Sequence, residues 1–248
     1  MTSPAKGQNL SQHAVIEAHR FENEYDSNAS TATPGEHPAK FLERTDPTAL
    51  QKHVAFFDGD NDNIIWPTDV YNGFRDLGFS VIFSIGSFLI SLFFSYPTSL
   101  AYSYLPDPYF RIYINSIHKA KHGSDTGIYD SDGHLRPALF EELFDKFDKS
   151  GTGSLDVDEL WLLLSKDRVA ADPAGWSFAF MEWWTTWLLL QKDGRVWKED
   201  LRQCYDGSLF WRIREDRMKD KGWRQGYGWR DFYSSMYKGG TWKEWTVR

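Results

Sequence analysis

One cysteine, Cys204, in 248 residues excludes an internal disulfide framework. Excess positive charge is missing too: 28 Lys and Arg stand against 35 Asp and Glu, a net charge of −7, with no basic cluster. Nucleic acid is therefore not an expected partner. The polar N-terminus has no apolar core of the signal-peptide kind, so the cytosolic face is the expected compartment. Residues 1–44 have no sustained hydrophobic period and read as a mobile tail, in which sequons at Asn9 and Asn28 mean little without secretion. Residues 45–248 are then expected to form the folded domain.

Charge disappears altogether from Leu77 to Pro106. Within that stretch, Phe79 to Tyr96 is an apolar segment ending before Pro97, shorter than the roughly 20 residues of a spanning helix. Gly86 and serines at 80, 84, 87, 91 and 95 make it a poor span, while its aromatic ends suit a water–lipid boundary. The region 79–106 therefore reads as an apolar, membrane-associating insertion into one leaflet, a buried core helix being the alternative.

Aromatic residues are abundant, at 17% with 12 Trp, as suits large apolar ligands or a lipid interface. Trp176 to Leu190, WSFAFMEWWTTWLLL, forms an aromatic helix whose one formal charge is Glu182, and is expected to line a core or a lipid pocket. Trp211, Trp223, Trp229, Trp242 and Trp245 continue the theme among Arg and Lys.

The densest pattern lies in Leu50 to Asp69, LQKHVAFFDGDNDNIIWPTD. Asp58, Asp60 and Asp62 occupy positions 1, 3 and 5 of an EF-hand loop over 58–69, Ile64 offers its carbonyl at position 7, and Asp69 closes at position 12. Asn63 replaces the usual Gly, which a left-handed backbone tolerates, and the short Asp69 replaces Glu, which weakens Ca2+ binding. A solvated acidic turn is the plain alternative. Asp46 and Pro47 are expected to start the helix before this loop, and Leu50, His53, Val54 and Phe57 share its inward face.

A second loop, DKSGTGSLDVDE over 148–159, is formally complete: Asp148, Ser150, Thr152, the Ser154 carbonyl, Asp156 and Glu159 are its candidate ligands. Stretches 128–139 and 189–200 lack a first acid and are expected to be degenerate, metal-free loops. EF-hand loops pair through position 8, held here by Ile65, Leu135, Leu155 and Val196. The spacing predicts that Leu155 faces Val196 and that Ile65 faces Leu135, with the apolar insertion leaving and returning between the latter two. The expected fold is mostly α, an EF-hand-derived helical domain with short β contacts between paired loops. Pro108 to His122 predicts one helix stopped by Gly123, with His118 and His122 a turn apart. A zinc hydrolase would need a glutamate between them and a third ligand, which the segment does not supply.

The order LQKHVAFFD with its loop, the apolar stretch, PDPYFRIYINSIHKAKHGSD and LRQCYDGSLF resembles the caleosin family over roughly Thr45 to Phe210. The resemblance implies a peroxygenase with haem b and Ca2+, on the cytosolic face of a lipid droplet or the endoplasmic reticulum. It would move oxygen from hydroperoxides to unsaturated fatty acyl substrates. It also implies roles for His53, His118 and His122 as catalytic residues, with His53 and His122 binding haem. The paired prolines of the plant proline knot are absent and the second loop is complete, which fits a fungal-like branch. The rival reading is a non-enzymatic, Ca2+-responsive structural protein of the lipid droplet.

Overall fold

The computed structural model describes residues 46–219; the N-terminal tail and Trp223, Trp229, Trp242 and Trp245 lie outside that range. Helix α1 (Ala49–Ala55) leads into the first loop, which ends in strand β1 (Ile64–Ile65) and helix α2 (Pro67–Asp76). The apolar insertion forms α3 (Val81–Gly86) and α4 (Phe88–Ser99), followed by β2 (Ile112–Tyr113) and a 3-10 helix (Ile114–Ala120). Helix α5 (Pro137–Phe147), strand β3 (Ser154–Asp156) and α6 (Val157–Asp167) make the second EF-hand. The described chain ends with α7 (Pro173–Leu190), β4 (Arg195–Trp197), α8 (Lys198–Asp206) and α9 (Leu209–Met218). It is mostly helical, with short antiparallel strand pairs, as the periodicities predict.

Helix α1 is capped by Thr48 and not by Asp46: Thr48 Oγ1 accepts from the Gln51 amide at 3.3 Å, and Gln51 Oε1 accepts from the Thr48 amide at 2.8 Å. This reciprocal box satisfies two donors at a helix start, which one acid followed by proline does not do. In the first loop Asn61 and Asn63 take φ of 58° and 65°, so asparagine supplies the left-handed turn usually made by glycine.

β3 pairs with β4 and sets Leu155 opposite Val196, as the loop spacing predicts. The other predicted pairing is corrected. Ile65 lies opposite Ile112, whereas Leu135 bridges back to Tyr129 within its own turn. The 128–139 stretch closes on itself because Asp130 Oδ1 accepts the amides of Asp132 and His134, which leaves its edge bonded locally. The apolar excursion still leaves and returns at one place, with β2 as the returning strand.

That pairing also overturns the single helix from Pro108 to His122. Residues 112 and 113 are recruited to a strand, Ser116 has a non-helical backbone within the 3-10 turns, and Lys121 is extended. A ladder partner supplied by β1 has overridden local helical preference.

Helices α3 and α4 are inverted relative to ordinary core helices. Ser84, Ser87, Ser91, Ser95, Thr98 and Ser99 are buried, while Val81, Ile82, Ile85, Leu89, Leu92 and Tyr96 are exposed, Ile82 by 68%. Small hydroxylated residues let α4 approach α2, β2 and the 3-10 helix closely. Pro97 lies inside α4 rather than ending it. The end of that helix is fastened by side chains: Thr98 Oγ1 donates to the Phe94 carbonyl at 2.8 Å and Ser116 Oγ to the Thr98 carbonyl at 2.6 Å. Val81–Ser99, at 19 residues, is long and apolar enough to cross a membrane by length and composition alone.

Candidate functional site

Helix α1 packs between α8 and the 3-10 helix, so His53 faces two elements far away in sequence. Its Nδ1 lies 2.7 Å from the Cys204 carbonyl. A carbonyl only accepts, so Nδ1 carries the proton and Nε2 keeps its lone pair. Burial lowers the His53 pKa, opposed by this hydrogen bond and by the charge of Glu182. Protein surrounds the ring, although it retains some accessible surface, and Phe210 stacks obliquely at 4.9 Å. The turn that presents the Cys204 carbonyl ends at Gly207, whose φ is +84°. A Cβ there would sit 2.5 Å from the Lys52 carbonyl carbon and 2.7 Å from the His53 amide nitrogen, so the α8 terminus and α1 touch backbone to backbone.

His122 lies beyond the 3-10 helix. Its side chain is 10% exposed, with Nδ1 3.6 Å from Asp172 Oδ2 and Nε2 4.0 Å from Glu182 Oε2. Both distances exceed hydrogen-bond length, and both buried ring nitrogens are without a hydrogen-bond partner. Burial acts to lower the His122 pKa, but Glu182, Asp125 and Asp172 outweigh it and hold the pKa above its ordinary value. Asp172 also caps α7 at the Gly175 amide and accepts from the Ser124 amide at 2.9 Å, pinning the HGSD segment to that helix start.

His118 answers to different neighbours: burial and then Lys119 lower its pKa, while Asp132 opposes them. With the 3-10 helix ending at Ala120 and Lys121 extended, the predicted helical alignment of His118 and His122 is not formed. Glu182 of α7 is instead the carboxylate within electrostatic reach of both His53 and His122; burial raises the Tyr129, Cys204 and Tyr205 pKa values, and Glu182 adds slightly to each. Its signal in the sequence was its place as the one charge in an aromatic helix. Nothing local marked the Cys204 carbonyl or Asp172.

In the first loop, carboxylate oxygens of Asp58, Asp60 and Asp62 lie within 4.8 Å of one another. Asp58 also accepts from the Asn63 amide at 2.9 Å, and Ile64, in β1, donates its amide to Asp62 Oδ1 at 2.7 Å. Asp69 heads α2 and accepts from the Trp66 amide at 2.8 Å. Burial raises the pKa of Asp58 and of Asp69, and the neighbouring acids add to it. Three carboxylates held this close suit a hard divalent cation. In the second loop Ser150, Thr152, Ser154, Asp156 and Glu159 also converge, but around the guanidinium of Arg195 from β4. Asp148 makes no contact with the guanidinium but accepts from the Ser150 hydroxyl at 3.1 Å and from the Thr152 and Gly153 amides.

These features define a helical, EF-hand-derived protein in which an acidic cation-type loop follows directly on the helix of His53, and the charge of Glu182 acts on both His53 and His122. A family model described as Caleosin related protein matches residues 45–214, and the chain belongs to that family. It is 38% identical over 197 residues to a protein of Lilium longiflorum named Peroxygenase, covering 78% of this chain and 82% of that one. It is 36% identical over 180 residues to Probable peroxygenase 4 of Arabidopsis thaliana, covering 72% and 91%. A third similarity, 34% over 92 residues, is to a Probable inactive peroxygenase-like protein of Arabidopsis thaliana, covering 37% of this chain and 45% of that one. These relatives are plant proteins and lend no support to a fungal-like branch. No solved structure matches the chain.

Proposed function

We propose that the protein is a haem-dependent peroxygenase, transferring oxygen from a hydroperoxide to unsaturated fatty acyl chains at a lipid surface, with Ca2+ held in loop 58–69. The peroxygenase names of the relatives over most of this chain support the activity. The observation that carries the site assignment is the fixed neutral tautomer of His53. A histidine that donates Nδ1–H to a backbone carbonyl presents Nε2 as a ligand of definite orientation, the usual arrangement behind a metal-bound imidazole. His122 fits the opposite role. Largely buried, with Nε2 4.0 Å from Glu182 and a pKa that Glu182, Asp125 and Asp172 raise against the lowering effect of burial, its ring is suited, when protonated, to give a proton to the leaving oxygen of a hydroperoxide.

Haem bound at His53 would supply the iron at which the O–O bond is cleaved. The protein's part would be to orient His53, favour the protonated form of His122 through Glu182, and keep water from the apolar walls. Among those walls Phe178 lies 6.0 Å from the His122 ring and Phe210 packs on His53. His118 is left outside this division of labour by its position near Lys119 and Asp132.

The inverted faces of α3 and α4 favour association with a lipid-droplet or endoplasmic-reticulum surface. Their inner face is taken up by the protein body, which supports a reading in which the exposed Ile82, Ile85, Leu89 and Leu92 lie along a lipid interface instead of crossing it. In the test, His53→Ala removes the Soret band and turnover, whereas His122→Ala keeps the band and loses hydroperoxide-dependent epoxidation. A wild-type chain with neither Soret band nor turnover after haem supplementation would instead favour the non-enzymatic lipid-droplet protein.

A further inference from the structure

Loop 148–159 has the formal ligand pattern of a Ca2+ site, yet its donors are already engaged. Arg195 stands at position 7 of the degenerate partner loop, and the β3–β4 register sets it opposite Asp156. Its Nη2 lies 2.7 Å from Ser150 Oγ, 3.0 Å from Thr152 Oγ1, 3.1 Å from the Ser154 carbonyl and 3.0 Å from Glu159 Oε2. Those are the donors of positions 3, 5, 7 and 12, the set that would surround a bound ion. Nε reaches Ser154 Oγ at 2.6 Å and Nη1 reaches Asp156 Oδ2 at 3.2 Å, which adds position 9. One nitrogen with two hydrogens cannot donate fully to four oxygens. The contact is that of a positive charge at the centre of a polar cage.

The facing loop is neutralised in the same manner. Asp200, at its position 12 and only 5% exposed, is paired with Lys192 Nζ at 2.5 Å and with Arg212 Nη2 at 2.6 Å. Both loops of this pair thus hold protein cations, in contrast to the cluster of Asp58, Asp60 and Asp62.

We infer that the Arg195 guanidinium is the resident cation of loop 148–159 and keeps divalent metal out of it. Ca2+–oxygen distances of about 2.3–2.6 Å require the cage to contract. Contraction cannot occur while Nη2 fills the centre, and a divalent ion entering beside it would meet a like charge. Asp148, which the guanidinium does not touch, keeps its place through the amides of Thr152 and Gly153 and needs no ion to do so. The loop pair acts as a fixed strut, and metal dependence falls to loop 58–69. The inference is independent of haem and of turnover.

The test is calorimetric titration of CaCl2 into the full chain after chelator treatment. Asp148→Asn is expected to leave the stoichiometry unchanged. Arg195→Met, which keeps an unbranched apolar stem, is expected to add one ion per chain with a Kd on the order of 10⁻⁴ M, as suits a loop of modest charge. Adding Asp148→Asn to that variant should remove the added ion. Loss of one ion in Asp148→Asn alone overturns the inference, as does a folded Arg195→Met chain with unchanged stoichiometry. Should Arg195→Met fail to fold by circular dichroism, Arg195→Gln replaces it, and the Asp148→Asn result decides in either case.

Discussion

Replacing Gly207 by Ala attacks the site through its backbone and leaves every histidine in place. Two costs combine. An added Cβ at φ +84° is strained, and it would meet the Lys52 carbonyl carbon at 2.5 Å, the His53 amide nitrogen at 2.7 Å and the Lys52 carbonyl oxygen at 2.8 Å. Left-handed strain costs about 1–2 kcal/mol, and overpacking against atoms that cannot rotate away adds about 1–3, for a total of about 2–5 kcal/mol. At about 2–4 °C per kcal/mol for a chain of this size, Tm should fall by about 4–20 °C. The relief available is a shift of α1 away from α8, which lengthens the 2.7 Å bond between His53 and the Cys204 carbonyl. Haem-loaded protein should then show a weakened or displaced Soret band at temperatures where the fold persists.

Two other glycines separate these contributions. Gly151 has φ +63° and nothing within 4 Å of an added Cβ, so Gly151→Ala reports strain alone. Gly59 has neither strain nor a close neighbour, and Gly59→Ala should be nearly neutral. Thermal unfolding by circular dichroism ranks the three. Equal loss of stability in Gly207→Ala and Gly151→Ala would refute the argument that α1 and α8 are locked by backbone contact.

The remaining predictions concern other parts of the molecule. Asp107, 7% exposed, accepts from Arg111 Nε at 2.8 Å, the Tyr113 hydroxyl at 2.7 Å and the Tyr109 amide at 2.8 Å, so Asp107→Ala should cost about 3 kcal/mol in a urea titration. Burial acts to raise the Asp107 pKa, but these three partners hold it below the ordinary value. Its contribution is therefore complete above the unfolded pKa and lost as pH falls through the folded one, a slope that Asp107→Asn should remove from the acid limb. His122 has the opposite sign: its raised pKa gives stability present below its ordinary value and lost as pH rises through the folded value. Glu182→Gln should lower the titration midpoint of the His122 ring protons seen by NMR; an unchanged midpoint would remove Glu182 from the pairing. Asp58→Ala should reduce haem retention more than Asp148→Ala, because the loop of Asp58 continues directly from the helix of His53. The reverse ranking would break that coupling. Ile82→Lys with Leu89→Lys should reduce sedimentation with phospholipid-coated triacylglycerol droplets several-fold while leaving the far-UV spectrum intact; undiminished sedimentation would show that this face is not the lipid contact.

Local patterns determined much of this protein. Alternating carboxylates located the first loop, and helical stripes placed the elements beside the second. Loop spacing set Leu155 against Val196, because each of these signals is carried by residues close in the chain and repeats with the period of its element. The resemblance was legible for the same reason, in contiguous segments. Tertiary structure decided what those segments meet. Ile65 took Ile112 as its partner because the 128–139 turn bonds to itself, and the strand thus formed broke the helix that would have aligned His118 with His122. The Cys204 carbonyl fixed the tautomer of His53 across 151 residues, and Glu182 acquired its role from the approach of α7 to His122. Arg195 entered a cage whose ligand spacing was complete without it. Spacing along a chain reports which donors can converge, but the charge that fills their centre comes from whichever distant side chain the packing delivers there.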